Sequence, residues 1–139
     1  MHTRVYIFRD IFIHIMKKVI LDTNFLMIPA ELRVDIFTEI DKIFHDKVQF
    51  YVLEKSLKEL DTVAEKGRQK EKLQVKLTKA LLKTQNIKIL SCDLEGSVDD
   101  ILVSLAKEYI IATQDQELKR RIQHNLLSLR KRQYVIFKE

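Results

Sequence analysis

The 139 residues carry 25 Lys and Arg against 20 Asp and Glu, a net charge of +5, with 46% hydrophobic and 32% charged residues. This balance excludes a disordered chain and gives one domain with a single layered core, too short for two. A sequence pI near 9.3 favours an acidic partner, nucleic acid first, while a lone Cys92 excludes an internal disulfide framework and suits a reducing cytoplasm.

The chain opens on two apolar pieces, Val5 to Phe8 and Ile11 to Ile15, divided by Arg9 and Asp10. Neither approaches the ~20 apolar residues that a bilayer requires, and no small-residue cleavage site follows, so neither a membrane span nor a signal peptide is expected. Met16-Lys17-Lys18 leads straight into a strand and reads as the natural start. Residues 1–15 are then an extension from a start codon assigned too early, and 16–139 the domain; the alternative is an extra strand or an oligomer contact.

Val19-Ile20-Leu21 has the continuous apolar character of a buried parallel strand and ends at Asp22. The chain is expected to turn at Pro29 and then to form a helix whose inner face is Ile36, Phe37, Ile40, Ile43 and Phe44. Phe50 to Leu53 is the second strand. Ser56-Leu57-Lys58-Glu59 has the spacing of a capping box, with Leu57, Leu60, Val63 and Ala64 inward and Gly67 interrupting. From Gln69 to Thr84, Leu73, Leu77, Ala80 and Leu81 form an apolar stripe, and Lys72, Lys76, Lys79 and Lys83 line another face.

Ile87 to Leu90 is the third strand, and Ser97 starts a helix with Val98, Ile101, Leu102, Leu105 and Ala106 inward. Tyr109 to Ala112 is a short fourth strand ending at Thr113-Gln114-Asp115. A basic helix with Lys119, Arg120 and Arg121 follows, and Tyr134 to Phe137 is the last strand. Strands alternating with helices specify an α/β fold with a mostly parallel sheet covered on both faces.

On this layout Asp22, Glu59, Asp99, Asp100 and Asp115 all fall at one end of the sheet, where open α/β folds bind ligands. Carboxylates a few ångströms apart repel by ~4 kcal/mol at an effective dielectric near 20, so a divalent metal is the simplest reason to gather them. Each also has a local explanation, because acids offset the dipole and cap free amides in any first helical turn. Asp100 stands three residues after Ser97 and completes a capping arrangement, leaving Asp99 the better metal candidate. Ser56 competes for Glu59, and Asp115 suits an N-cap. Asp22 has no evident helix to cap.

Leu21-Asp22-Thr23-Asn24, Lys58-Glu59-Leu60, Val98-Asp99-Asp100-Ile101-Leu102 and Ala112-Thr113-Gln114-Asp115-Gln116-Glu117-Leu118-Lys119-Arg120-Arg121, in this order, resemble the PIN-domain nucleases from Met16 onward. The last of these is similar to the ending found in the archaeal and eukaryotic branch that processes small-subunit ribosomal RNA. The resemblance implies a three-layer α/β/α domain with strand order 3-2-1-4-5. It implies Mg²⁺- or Mn²⁺-dependent hydrolysis of single-stranded RNA to 5′-phosphate and 3′-hydroxyl products. By position, Asp22, Glu59, Asp99 and Asp115 are the implied metal-binding quartet, with Asn24 orienting Asp22 and Thr113 helping to hold the site. Glu117 departs from the Asp frequent in close relatives.

Drawing RNA to an acidic pocket requires cations at its rim, and Lys119, Arg120 and Arg121 begin one turn after Asp115. His45 and His124 read as surface or packing residues, and Tyr51 and Tyr109 as core. The expected setting is the cytoplasm, with precursor ribosomal RNA as partner, no membrane, and a homodimer admitted. The alternatives are a toxin ribonuclease with an antitoxin partner, or a scaffold that binds RNA without cutting it.

Overall fold

Val19, Ile20 and Leu21 have no exposed surface, and their burial sets the architecture. In the computed structural model, which describes residues 16–91 and 94–139, they end β1 (Lys17–Leu21), flanked by β2 (Val48–Leu53) and β4 (Ile110–Ala112) in parallel pairing. A strand with parallel neighbours on both sides and helices on both faces meets no water, so a continuous apolar run replaces alternation. Successive side chains still point opposite ways: Val19 and Leu21 join one core layer and Ile20 the other.

With β3 (Lys88–Leu90), β5 (Leu126–Arg130) and β6 (Tyr134–Lys138) the sheet has the order β3-β2-β1-β4-β5-β6, and β6 runs antiparallel to β5. One face carries α1 (Thr23–Leu26), α2 (Ile28–Leu32), α3 (Ile36–Ile43), α4 (Glu54–Lys66) and α5 (Gln69–Thr84), through Phe25, Ile28, Ile40, Leu60 and Val75. The other carries α6 (Val98–Leu105) and α7 (Gln116–Ile122), through Ile101, Leu102 and Leu118. Strand order reverses between β1 and β4, so the carboxyl ends of these two strands open the crevice in which such sheets bind ligands. No helix among the described residues is long and apolar enough to cross a membrane.

The three-layer architecture and the order of the first five strands are as expected, but several elements differ from the sequence reading. Leu126–Arg130 is an additional strand, so Tyr134–Lys138 is sixth. Its Leu-Leu-Ser-Leu has neither β-branched residues nor clean alternation, and the helix before it is stopped by left-handed Gln123 and Asn125 (φ 70 and 55) instead of Gly or Pro. Pro29 does not turn the chain but sits at the start of α2, where its missing N–H costs nothing. α4 begins at Glu54, two residues before Ser56, whose buried hydroxyl has no hydrogen-bond partner among the described residues.

α5 is rotated from its expected orientation. Leu73 and Leu77 are 57% and 51% exposed, and Val75 and Thr78 are buried instead, with Leu81 and Leu82 packed at the core edge. Thr78 is tolerated inward because its hydroxyl donates to Gln74 O at 2.8 Å. Lys72 and Lys79 of the lysine row are tied to Ala64 O and Asp61 of α4. Tyr51 and Tyr109 are core residues in edge-to-face contact at 5.3 Å. The extension 1–15, with His2 and His14, and Cys92 lie outside the described residues.

Gly67 ends α4 and allows α5 to fold back on it. A Cβ there would press on Glu71 Cβ and lie 2.7 Å from Val63 O, both close to the backbone. Gly67→Ala is therefore expected to destabilise the fold by about 1–3 kcal/mol, read as a lower thermal midpoint with an unchanged far-ultraviolet spectrum.

Candidate active site

Asp22 stands where β1 ends. Its N–H donates to Ala112 O at 2.9 Å, extending the parallel ladder by one residue, and this holds the carboxyl group inward at 6% exposure. Oδ2 accepts from the Thr113 hydroxyl at 2.7 Å and Oδ1 from Thr23 N–H at 2.9 Å. Asp22 is thus also the N-cap of α1, a four-residue helix too short to leave a periodic signal in the sequence. Burial raises its pKa above the ordinary carboxylate value; Thr113 and Thr23 oppose the shift, and the charges of Asp99 and Glu59 add to it.

Thr113 is fully buried, and its hydroxyl also accepts from Asp115 N–H at 3.1 Å. Asn24 makes no described hydrogen bond to Asp22. Its Oδ1 accepts from Gln114 N–H at 3.1 Å, tying the β4–α7 loop to α1, and lies 3.5 Å from the Thr113 hydroxyl that bonds Asp22. The Gln114 side chain reaches β5, where its Oε1 accepts from Leu129 N–H at 2.6 Å.

Asp115 is the N-cap of α7: its Oδ1 accepts from Glu117 and Leu118 N–H at 2.9 and 3.1 Å. The local explanation therefore holds for one oxygen, while Oδ2 has no described hydrogen bond. Glu59 is not claimed by Ser56; it accepts from the Thr23 hydroxyl at 2.7 Å, which joins α4 to the end of β1.

Asp99 and Asp100 divide as anticipated. Asp100 forms the capping box with Ser97 (3.1 and 3.4 Å) and accepts from Arg121 at 2.9 Å. Arg121 and Ser97 hold its carboxyl below the ordinary range. Asp99 has no described hydrogen bond; burial pushes its pKa up and the Asp115 charge adds to this, with Arg121 pulling the other way.

A cleft of about 410 Å³ is lined by Asp22, Glu59, Asp99 and Asp115 together, but not by Asp100. Glu31 and Glu71 also line it, and sequence reasoning did not single them out. Glu31 had a signal, an acid two residues after a Pro that starts a helix; Glu71 accepts from the Arg68 N–H at 2.9 Å at the start of α5. No cationic side chain among the described residues lines this cleft. Among the described residues, no three acids or histidines stand close enough to form a ready-made ligand cluster. His45 and His124 are exposed and outside the cleft. Of the three cations expected at the rim, Arg121 is paired with Asp100, while Lys119 and Arg120 line a different cleft.

The raised pKa of Asp22 has a consequence for stability. The folded state holds that proton more tightly than the unfolded chain, so stability falls as pH rises from the ordinary carboxylate range through the folded pKa, and the full penalty remains above it. Without divalent cations, Asp22→Asn should melt a few degrees above the wild type at pH 7. The gap should close near pH 3.5, as followed by calorimetry at both pH values.

A family model described as a PIN like domain matches residues 19–132. Ribonuclease VapC4 of Methanocaldococcus jannaschii is 32% identical over 117 residues, covering 79% of this chain and 86% of its own. Among solved structures, the PIN domain endonuclease Utp24 superposes with a TM-score of 0.67 at 23% identity, over 85% of this chain and 88% of its own. A domain of a functionally unknown protein from Methanocaldococcus jannaschii gives a TM-score of 0.50 at 20% identity, over 77% and 84%. The matched span contains every acid of the cleft, and the chain belongs to the PIN-like domain family.

Proposed function

We propose that this chain is a metal-dependent endoribonuclease that cuts single-stranded RNA in the cytoplasm, in the maturation of precursor ribosomal RNA. The observation that carries the reading is the cleft: Asp22, Glu59, Asp99 and Asp115 arrive from four separate segments and line one cavity, with Asp22 and Asp99 held above their ordinary pKa. Membership of a family with a named ribonuclease and a named endonuclease among its relatives supports it. The ribosomal role is supported by the run from Thr113 to Arg121, which resembles that branch.

The donor set suits Mg²⁺ or Mn²⁺. Its charged donors among the described residues are carboxylates, with no Cys or His, which favours hard cations over zinc or copper. Asp22, Glu59, Asp99 and Asp115 would hold the ion. Mg²⁺ keeps several waters and takes one or two carboxylates plus a substrate phosphate, so an open cleft without a closed ligand cage is compatible with it. Bound there, a divalent cation lowers the pKa of a water and offsets the charge that builds on the reacting phosphate.

The chain's own contribution is positional. Thr113 fixes the Asp22 carboxylate, Thr23 orients Glu59, and the α7 amides hold one oxygen of Asp115 while the other faces no described donor. The products would carry 5′-phosphate and 3′-hydroxyl ends.

A second reading, a toxin ribonuclease held by an antitoxin, draws on the 32% identity to Ribonuclease VapC4. Incubation with a labelled small-subunit precursor RNA separates the readings: cleavage at one position supports maturation, and cleavage of many unrelated RNAs supports the toxin. No cleavage with Mn²⁺, alongside retained RNA binding, would leave a scaffold.

Asp22→Asn is expected to lower the cleavage rate by two or more orders of magnitude. Asp99→Asn should cost far more activity than Asp100→Asn, because Asp100 is occupied by Ser97 and Arg121; the reverse order in single-turnover rates would remove Asp99 from the site. Millimolar Mn²⁺ should raise the thermal midpoint of the wild type and raise that of Asp22→Asn by less. An equal response in both would count against a metal at Asp22.

A further inference from the structure

Beside α7, next to the acidic cleft, lies a second and larger one, of about 1070 Å³. It has the opposite chemistry. Lys119, Arg120 and His124 line it from α7 and the following loop, and Arg130, Lys131 and Lys138 from the β5–β6 hairpin, with no acid among the described residues of the lining. Leu126, Ser128 and Ile136 of the sheet also line it, Leu126 packing in the same core layer as Leu118 of α7.

Among the described residues, Lys119, Arg120, Arg130, Lys131 and Lys138 form no salt bridge; the salt bridges there involve Lys17, Lys42, Lys79 and Arg121. Lys119 is half-buried, and burial together with the nearby Arg130 guanidinium holds its amine below the ordinary lysine value. Gathered like charge without a partner disfavours the free protein and favours a polyanion.

The hairpin turn gives an independent indication. Gln133 N–H donates to Arg130 O at 3.1 Å, and the two residues between, Lys131 and Arg132, are both left-handed (φ 54 and 57). A two-residue turn of this hand is normally made by Asn-Gly or Asp-Gly. Long basic side chains occupy it here in spite of the conformational cost, and Lys131 is aimed into the cleft.

We propose that the cleft between α7 and the β5–β6 hairpin is a binding track for the phosphate backbone of single-stranded RNA, gripping the strand next to the bond presented to the acids. The two clefts share α7: Asp115 at its N-terminus lines one, and Lys119, four residues or about 6 Å along the axis, lines the other. A strand held by this track therefore passes within a nucleotide or two of the acids. The proposal rests on the nucleolytic reading for the identity of the strand and on the cations for the binding.

The test is fluorescence polarisation of a labelled unstructured 12-nucleotide RNA with the full chain in EDTA, across a KCl series. Binding without divalent cations keeps the proposal separate from the proposed activity: a wild type that binds but never cuts RNA with Mn²⁺ ends the nuclease reading and leaves this one standing. The wild type should bind with strong salt dependence. Arg130→Glu combined with Lys131→Glu should weaken binding at least tenfold and flatten the log–log salt slope by roughly 0.7 for each phosphate no longer neutralised.

Lys131→Gly guards against misfolding, since it relieves the left-handed residue while removing the charge. It should melt no lower than the wild type and bind RNA more weakly. Arg132→Gly makes the same backbone relief at a side chain that lines a different pocket, and its RNA affinity should match the wild type. Equal affinities for the wild type, the double reversal and Lys131→Gly would overturn the proposal. Tighter binding of a poly-glutamate peptide than of RNA at matched charge would also overturn it, in favour of an acidic protein partner.

Discussion

The hydroxyl of Thr113 is the contact on which the acidic cleft depends. It donates to the Asp22 carboxylate and accepts from the Asp115 amide, so a single oxygen joins two acids contributed by different crossovers. The parallel register of β1 and β4, with Leu21 opposite Ala112, brings together Asp22 and Thr113, 91 positions apart in the chain. A buried carboxylate tolerates its site only when its oxygens are hydrogen-bonded. Thr113 and Thr23 supply those bonds, and desolvation still outweighs them, leaving a group that takes a proton more readily than an exposed acid.

The second organising feature is separation of charge between the two clefts that meet at α7. The net charge of +5 describes neither side: six carboxylates line one cleft and cations line the other. Arg121 sits between the two clusters, paired with Asp100 on α6. Local fields of this kind, not the net charge, determine which anions and cations gather where. Each cluster is a departure from what folding alone would favour, since like charges were placed together where dispersed ones would be more stable.

Gln114, between Thr113 and Asp115, shows how the loop carrying the site is fixed. Its side chain bonds Leu129 of β5 and its backbone N–H donates to Asn24 of α1, so the loop is clamped to the sheet and to α1. Loops that carry function are held by a rigid scaffold, and here the clamp combines one side chain with one main-chain donor. Asn24 therefore acts on the loop, and reaches Asp22 through Thr113.

The features legible in the sequence depend on near neighbours. The apolar run into Asp22, the Ser97–Asp100 capping box that left Asp99 free and Asp115 as an N-cap all followed from signals within a turn or a strand, while the strand order came from the family resemblance. What the sequence left open depends on packing between layers. α5 carries two competing stripes, Leu73-Leu77 and Val75-Thr78, and only its seat against α2 and α4 decides which is buried. β5 becomes a strand because β4 and β6 pair with it, although its residues have little strand preference of their own. Which basic residues of α7 face the acids and which face away is set by the helix's rotation over the sheet. Rotation about an axis is a property of the interface and not of the helix, so it was decided only when the layers closed.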